Sequence, residues 1–163
     1  MIPLSNNDQT THLPCGGNFG WQETEILTAL SSVNSFYPGF SQWFRGRVIG
    51  EIDGPARRIF VSRDQCSING VAIAKRGAEA KLCTLWVSPI GRHSGVARSL
   101  ASDVFDWIGT EKPLFTVPEE RLDEFRGLLR LWDFGQPQRM LGYYRPGKIE
   151  YIFNGSGNLN LPV

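Results

Sequence analysis

The sequence predicts a mixed α/β domain, and three observations lead there. Hydrophobic spacing changes along the chain from a helical period to strand-like runs and back again. The segments follow in the order α α β β β α β α β β with short connections, which leaves no place to divide the chain. Its 163 residues, 41% hydrophobic and 12% aromatic, suit one domain with a bulky core rather than two.

Residues 1–20 are polar and rich in turn formers, with Pro14 and Gly16-Gly17 near their end, and read as a leader without a core of its own. The folded domain is expected over 21–155, with 156–163 as a loose tail. From Trp21 the chain turns helical, since Ile26, Leu27, Leu30 and Val33 form an apolar stripe. Tyr37-Pro38-Gly39-Phe40 interrupts it, and a short helix over 41–47 presents Trp43 and Phe44. The bulky group Tyr37, Phe40, Trp43 and Phe44 either walls a cleft or plugs the helical layer onto a sheet.

Residues 58–62, 66–75 and 81–88 have strand composition, with Asn69-Gly70 marking a turn or bulge in the second. Val96, Leu100, Val104 and Ile108 recur at helical spacing, and Gly109-Thr110 stops that helix. A buried-looking strand over 113–117 leads to Pro118, placed where a helix start tolerates its missing N–H. Leu122, Phe125, Leu128, Leu129 and Trp132 form the next apolar face. Strands at about 138–144 and 148–153 close the domain around Arg145-Pro146-Gly147.

Charge narrows the function. Seventeen basic against 16 acidic side chains give a net charge of +1, which argues against a dedicated nucleic-acid binder. Thirteen of those bases are Arg and only four Lys, which favours forked recognition of carboxylates or phosphates. Cys15, Cys66 and Cys83 are odd in number and form no C-x-x-C pair, so neither a disulfide framework nor a metal site is expected. Without an 18-residue apolar run or a signal-like start, the expectation is a cytoplasmic protein with no membrane span.

Residues 81–109 carry the most chemistry. A strand runs into a loop of small residues, Gly91-Arg92-His93-Ser94-Gly95-Val96-Ala97, which passes directly into a helix. Backbone N–H groups at such a helix start, together with the helix dipole, can bind an anion without a cationic side chain. Gly95 allows close approach, Ala97 leaves the first turn uncrowded and Arg92 can fork onto a phosphate. The local alternative is a plain helix start capped by Ser94. A P-loop is excluded because G-K-[ST] is missing, and a dinucleotide fingerprint because only one of its three glycines is present.

The strand x-L-x-x-L-x-V-x-P, followed by Arg92-x-x-Gly95-x-Ala97 and a long amphipathic helix, resembles the acyl-CoA site of the GNAT N-acetyltransferases. The resemblance covers roughly residues 22–153 and implies a single mixed, mostly antiparallel sheet flanked by helices, the GNAT-like acyl-CoA fold. It implies acetyl-CoA as cosubstrate, no metal, and direct attack of an amine on the thioester in a ternary complex. Leu85, Trp86 and Val87 would then hold the pantetheine arm, and Arg92, His93, Ser94, Gly95, Val96 and Ala97 the pyrophosphate.

The chain departs from the family pattern in several places. His93 stands where many members have glycine, Asp133-Phe134 where Gly-Phe is usual, and Leu129 where a general-acid tyrosine is usual. No Glu lies on the strand before the motif, where Lys81, Cys83 and Thr84 are the inward candidates and Glu79 sits upstream. Tyr143 or Tyr144 can replace the acid, and Glu119 or Glu120 can serve as base, with ordered water as a further route for the proton. For the tyrosines the structural alternative is strand packing, and for the glutamates it is complementing a helix dipole. The early strand common at the family's N-terminus is not evident. The acceptor amine is left open among a small molecule, a protein amine and an aminoacyl-tRNA, and the closing strands of this fold often pair in a homodimer. The alternative function is a catalytically degenerate GNAT-fold module that binds CoA or a partner protein.

Overall fold

The computed structural model describes residues 10–12, 19–65 and 67–156. Seven strands form one sheet: β1 (Thr10–His12), β2 (Arg57–Asp64), β3 (Ser67–Lys75), β4 (Lys81–Val87), β5 (Leu114–Pro118), β6 (Gln138–Leu141) and β7 (Ile149–Phe153). Their order is β1-β2-β3-β4-β5-β7-β6, antiparallel throughout except for the parallel pair β4–β5. A parallel pair requires a long crossover. Helix α3 (Val96–Ile108) supplies it.

Helices cover both faces. α1 (Phe19–Ala29), a 3-10 turn (Ser31–Ser35) and α2 (Phe40–Trp43) lie on one side, where Ile26, Leu30, Phe40 and Phe44 pack against Ile59, Val61, Val71 and Ile73. α3 and α4 (Leu122–Leu131) cover the other, where Leu100, Val104 and Leu129 meet Phe60, Ala72 and Phe115. Alternation places Ile59 and Val61 on the first face and Phe60 on the second, so both faces of these central strands are apolar.

Gly70 permits the close seating of α3. A Cβ there would stand 2.5 Å from Val96 Cγ1 and 2.8 Å from Leu100 Cδ1. The expected irregularity at Asn69-Gly70 is a bulge, because Ser62 pairs with Gly70 and Arg63 with Ile68, leaving Asn69 unmatched. At the interruption before α2, Gly39 adopts φ +80°.

Several boundaries differ from expectation. The leader contains β1, paired with Ser62, Val61 and Phe60 of β2. A three-residue polar segment carries too little period to be read as a strand. The rest of residues 1–18, Cys66 and the tail beyond Ser156 lie outside the described residues. The second helix continues as a π-helical stretch, Phe44–Ile49, rather than ending at Arg47. The strand expected over 138–144 stops at Leu141, so Tyr143 and Tyr144 sit in the β6–β7 connection, where Gly142 turns the chain with φ +75°. Among the described residues no helix is long and apolar enough to cross a membrane.

Candidate active site

β4 and β5 share only two register pairs, Lys81 with Leu114 and Leu82 with Phe115. Beyond them the strands part. Cys83 falls in a bulge, since Ile73 pairs with Thr84 and Ala74 with Leu82, and this bulge marks the start of the separation. Leu85, Trp86 and Val87 still pair with Ala72, Val71 and Gly70 of β3, while their register with β5 has ended. All three are half-buried. The backbone of this stretch is therefore open to a ligand on its β5 side.

The splay leads to the start of α3. Ser88 N–H donates to Asn69 O at 2.8 Å and Gly91 N–H to Ser88 O at 3.0 Å, fixing the loop to the bulge of β3. His93 and Gly95 take φ +65° and +87°, and Gly95 is the N-cap. Ser94 is not the cap, because its hydroxyl donates back to Gly91 O and no side chain caps α3. The first intrahelical bond runs from Ser99 N–H to Gly95 O at 3.0 Å, so the N–H groups of Val96, Ala97 and Arg98 precede the ladder. Val96 is buried and anchors the turn, whereas His93, Ser94 and Gly95 are exposed. Arg92 is also exposed and leans on Glu124 of α4 at 3.6 Å.

A cleft of about 440 Å³ lies beside the point where β4 and β5 part, bounded by Tyr37, Phe40, Trp43, Lys81, Cys83, Thr84, Thr116, Tyr143 and Tyr144 among others. Tyr37 and Trp43 thus wall it, while Phe40 and Phe44 are mainly core, so the bulky group divides between the two expected roles. Tyr37 and Tyr144 meet edge to face at 5.0 Å, as do Tyr143 and Tyr144 at 4.7 Å. Lys81 Nζ donates to the Tyr144 hydroxyl at 3.2 Å.

Behind this wall lies Glu150 of β7, 3% exposed. The Tyr37 hydroxyl donates to its Oε1 at 2.9 Å. Burial raises the Glu150 carboxyl to about 7, against the opposing hydrogen bonds from Tyr37 and Thr116. Burial and the neighbouring Glu150 charge push the Tyr37 hydroxyl well above its ordinary range. Burial likewise raises the Cys83 thiol, which receives a weak contact from Arg57 at 3.7 Å.

The structure separates the residues singled out from the sequence. Tyr143 and Tyr144 line the cleft. Glu119 and Glu120 sit in a 3-10 turn after β5 and face Arg145 and Lys148 instead. Arg145 grips Glu120 with two bonds of 3.0 and 2.7 Å, and this hydrogen bonding lowers the Glu120 carboxyl to about 2. Such a group holds a proton too weakly for base catalysis near neutrality. Glu150 was missed by sequence reasoning, although one signal was present: a carboxylate enclosed in the apolar strand Ile149-Glu150-Tyr151-Ile152-Phe153.

A parallel pair that splays after two residues, an uncapped helix start at its open end and a cleft behind it define an architecture. The chain has the fold of the GNAT acetyltransferases. No protein-family model matches the sequence, and no curated protein matches it. Among solved structures, it is similar to a protein assigned to the GNAT family of acetyltransferases from Desulfovibrio desulfuricans, with a TM-score of 0.66 at 16% identity, covering 89% of this chain and 94% of the other. It is similar to a GNAT family acetyltransferase from Elizabethkingia anophelis with acetyl-CoA bound, with a TM-score of 0.56 at 11% identity over 91% and 97% of the two chains. The ribosomal-protein-S18-alanine N-acetyltransferase of Escherichia coli is a third, with a TM-score of 0.54 at 18% identity over 69% and 79%.

Proposed function

We propose that this chain is an N-acetyltransferase that moves an acetyl group from acetyl-CoA to a primary amine by direct attack in a ternary complex. The observation that carries the reading is the β4–β5 splay: a hollow lined by Thr84, Leu85, Trp86, Phe115 and Thr116 follows it and shares Cys83, Thr84 and Thr116 with the aromatic cleft, and β4 runs on through residues 88–95 to the uncapped start of α3. The pyrophosphate would lie on the amides around Gly95, with Arg92 exchanging Glu124 for phosphate. The pantetheine arm would run along Leu85, Trp86 and Val87, and positioning would then supply most of the rate.

The amine lone pair attacks the thioester carbonyl carbon, and the C–S bond breaks with its electron pair leaving on sulfur. The amine proton passes to the Tyr37 oxygen while the Tyr37 proton passes to Glu150, which is ionised above about 7. The leaving thiolate takes a proton from Tyr144, whose oxygen is oriented by Lys81. This gives Tyr144 a role in place of the tyrosine replaced by Leu129, which is a buried core residue.

Acetyl-CoA is expected to raise the melting temperature of the purified chain, because a ligand bound only by the folded state stabilises it. Thiol release over a panel of amines, peptides and charged tRNA then tests transfer. A shift without thiol release on any acceptor would favour the binding-module reading, and a flat shift at saturating acetyl-CoA would remove both.

A further inference from the structure

The cationic side chains of the cleft are unequally neutralised. Arg57 Nε bonds Glu51 Oε2 at 2.9 Å, and Lys75 Nζ meets Glu79 Oε2 at 3.2 Å. Lys81 has no carboxylate within ion-pair distance among the described residues. Its hydrogen-bond partner is the Tyr144 hydroxyl at 3.2 Å, with the Tyr144 ring 5.9 Å away. Glu150, the other nearby acid, is engaged by Tyr37. A half-buried ammonium has three donors, and Tyr144 occupies one of them.

Burial disfavours the Lys81 ammonium, yet its neighbours Tyr144 and Cys83 raise its pKa overall, so it stays charged, and a ligand anion in the same cleft can take its remaining donors through charge-assisted hydrogen bonds. The walls beside Lys81 include the rings of Tyr37, Phe40, Trp43, Tyr143 and Tyr144 as well as the paired charges of Arg57, Lys75 and Glu79, so they favour an organic body over an inorganic ion. Lys81 stands two strand residues before Cys83, where the splay begins, a separation of about 6–7 Å along a strand. A compact molecule can span that interval with an anion at one end and an amine at the other.

We propose that the acceptor is a small amine that also carries a carboxylate, an amino acid or a close relative, and that Lys81 binds this carboxylate. The inference rests on the acetyl-transfer reading and narrows its substrate class. Lys81 is then a specificity-determining residue: it holds the acceptor by its acid end and directs the amine toward the Tyr37–Glu150 pair.

The test is a set of matched acceptors, each amino acid beside its primary amide and its decarboxylated amine, assayed by thiol release with acetyl-CoA. Wild type is expected to favour the carboxylate members by at least about tenfold in kcat/KM, as a site built for a polar group rejects the analogue lacking it. Lys81→Met should lose that preference and Lys81→Arg should keep most of it. A second readout needs no turnover: N-acetylated amino acids should raise the wild-type melting temperature, their amides should not, and Lys81→Met should respond to neither. Equal use of amides by wild type, or an intact preference in Lys81→Met, overturns the assignment. If acetyl-CoA shifts the melting temperature and neutral amines are acetylated as readily as carboxylates, only this inference fails. If acetyl-CoA produces no shift, the acetyl-transfer reading itself fails, and this inference with it.

Discussion

Tyr37 and Glu150 are 113 residues apart in sequence and 2.9 Å apart in space, joined by a hydrogen bond between the helical layer and β7. The bond places a carboxyl that burial pushes up to about 7 behind a tyrosine that lines the cleft. In the proposed transfer of a proton from an amine, that value would suit operation near neutral pH.

Wild-type kcat/KM for acetyl transfer should therefore rise with pH through about 7, and Glu150→Gln should abolish that inflection. The loss in kcat is expected at about 10²–10⁴-fold. Stability should move oppositely. The folded-state value of Glu150 is raised from 4.5 to about 7, so its favourable contribution is complete below 4.5 and is lost as pH rises through about 7. Denaturation at pH 5 and pH 8 should show Glu150→Gln losing less stability between the two, by up to about 3 kcal/mol.

Gly95→Asp should abolish the melting-temperature shift caused by acetyl-CoA. A Cβ at Gly95 meets nothing within 4 Å, so the folded chain tolerates the atom, but φ +87° makes the backbone costly by about 1–2 kcal/mol. The added carboxylate would face the same amides as the pyrophosphate. Full retention of the shift would contradict the assignment of that loop.

Gly70→Ala tests the seating of α3. The new methyl would meet Val96 and Leu100 at 2.5 and 2.8 Å, and both are buried. Overpacking of this kind costs about 1–3 kcal/mol. Urea unfolding should show that loss, and the affinity for acetyl-CoA should fall with it, because Val96 anchors the turn that offers the amides.

Glu120→Gln should leave acetyl transfer almost unchanged. Its carboxyl is lowered to about 2 by Arg145, so its contribution to stability is present above 4.5 and disappears as pH falls toward 2. The pair is partly solvated, and its loss should cost less than about 1 kcal/mol in urea titrations at neutral pH. A large drop in kcat would return Glu120 to the reacting groups.

The parts legible in the sequence are those written locally. The strand-loop-helix at residues 81–109 shows in its period and its glycines, and α3 spans the expected residues. The order of the central and C-terminal elements was readable for the same reason. Glu150 and Tyr37 were not joined, since nothing local pairs a strand carboxylate with a tyrosine in a different layer. Tyr143 and Tyr144 were expected on a strand, but Gly142 ends the ladder and moves both into a turn. Likewise, Ser94 has the composition of a helix cap, and only the positive φ of His93 and Gly95 transfers that position to glycine.

With only Lys81–Leu114 and Leu82–Phe115 joining β4 to β5, the sheet is nearly two sheets sharing a short seam. Each half has a long ladder of its own: β1 to β4 on one side, and β5, β7 and β6 on the other. Segments linked so weakly tend to open as separate cooperative units in amide hydrogen exchange. A molecule lying along the seam would touch both halves and couple their openings. Acetyl-CoA should therefore slow exchange in β7 as well as in β4, although β7 lies beyond the strand that borders the opening.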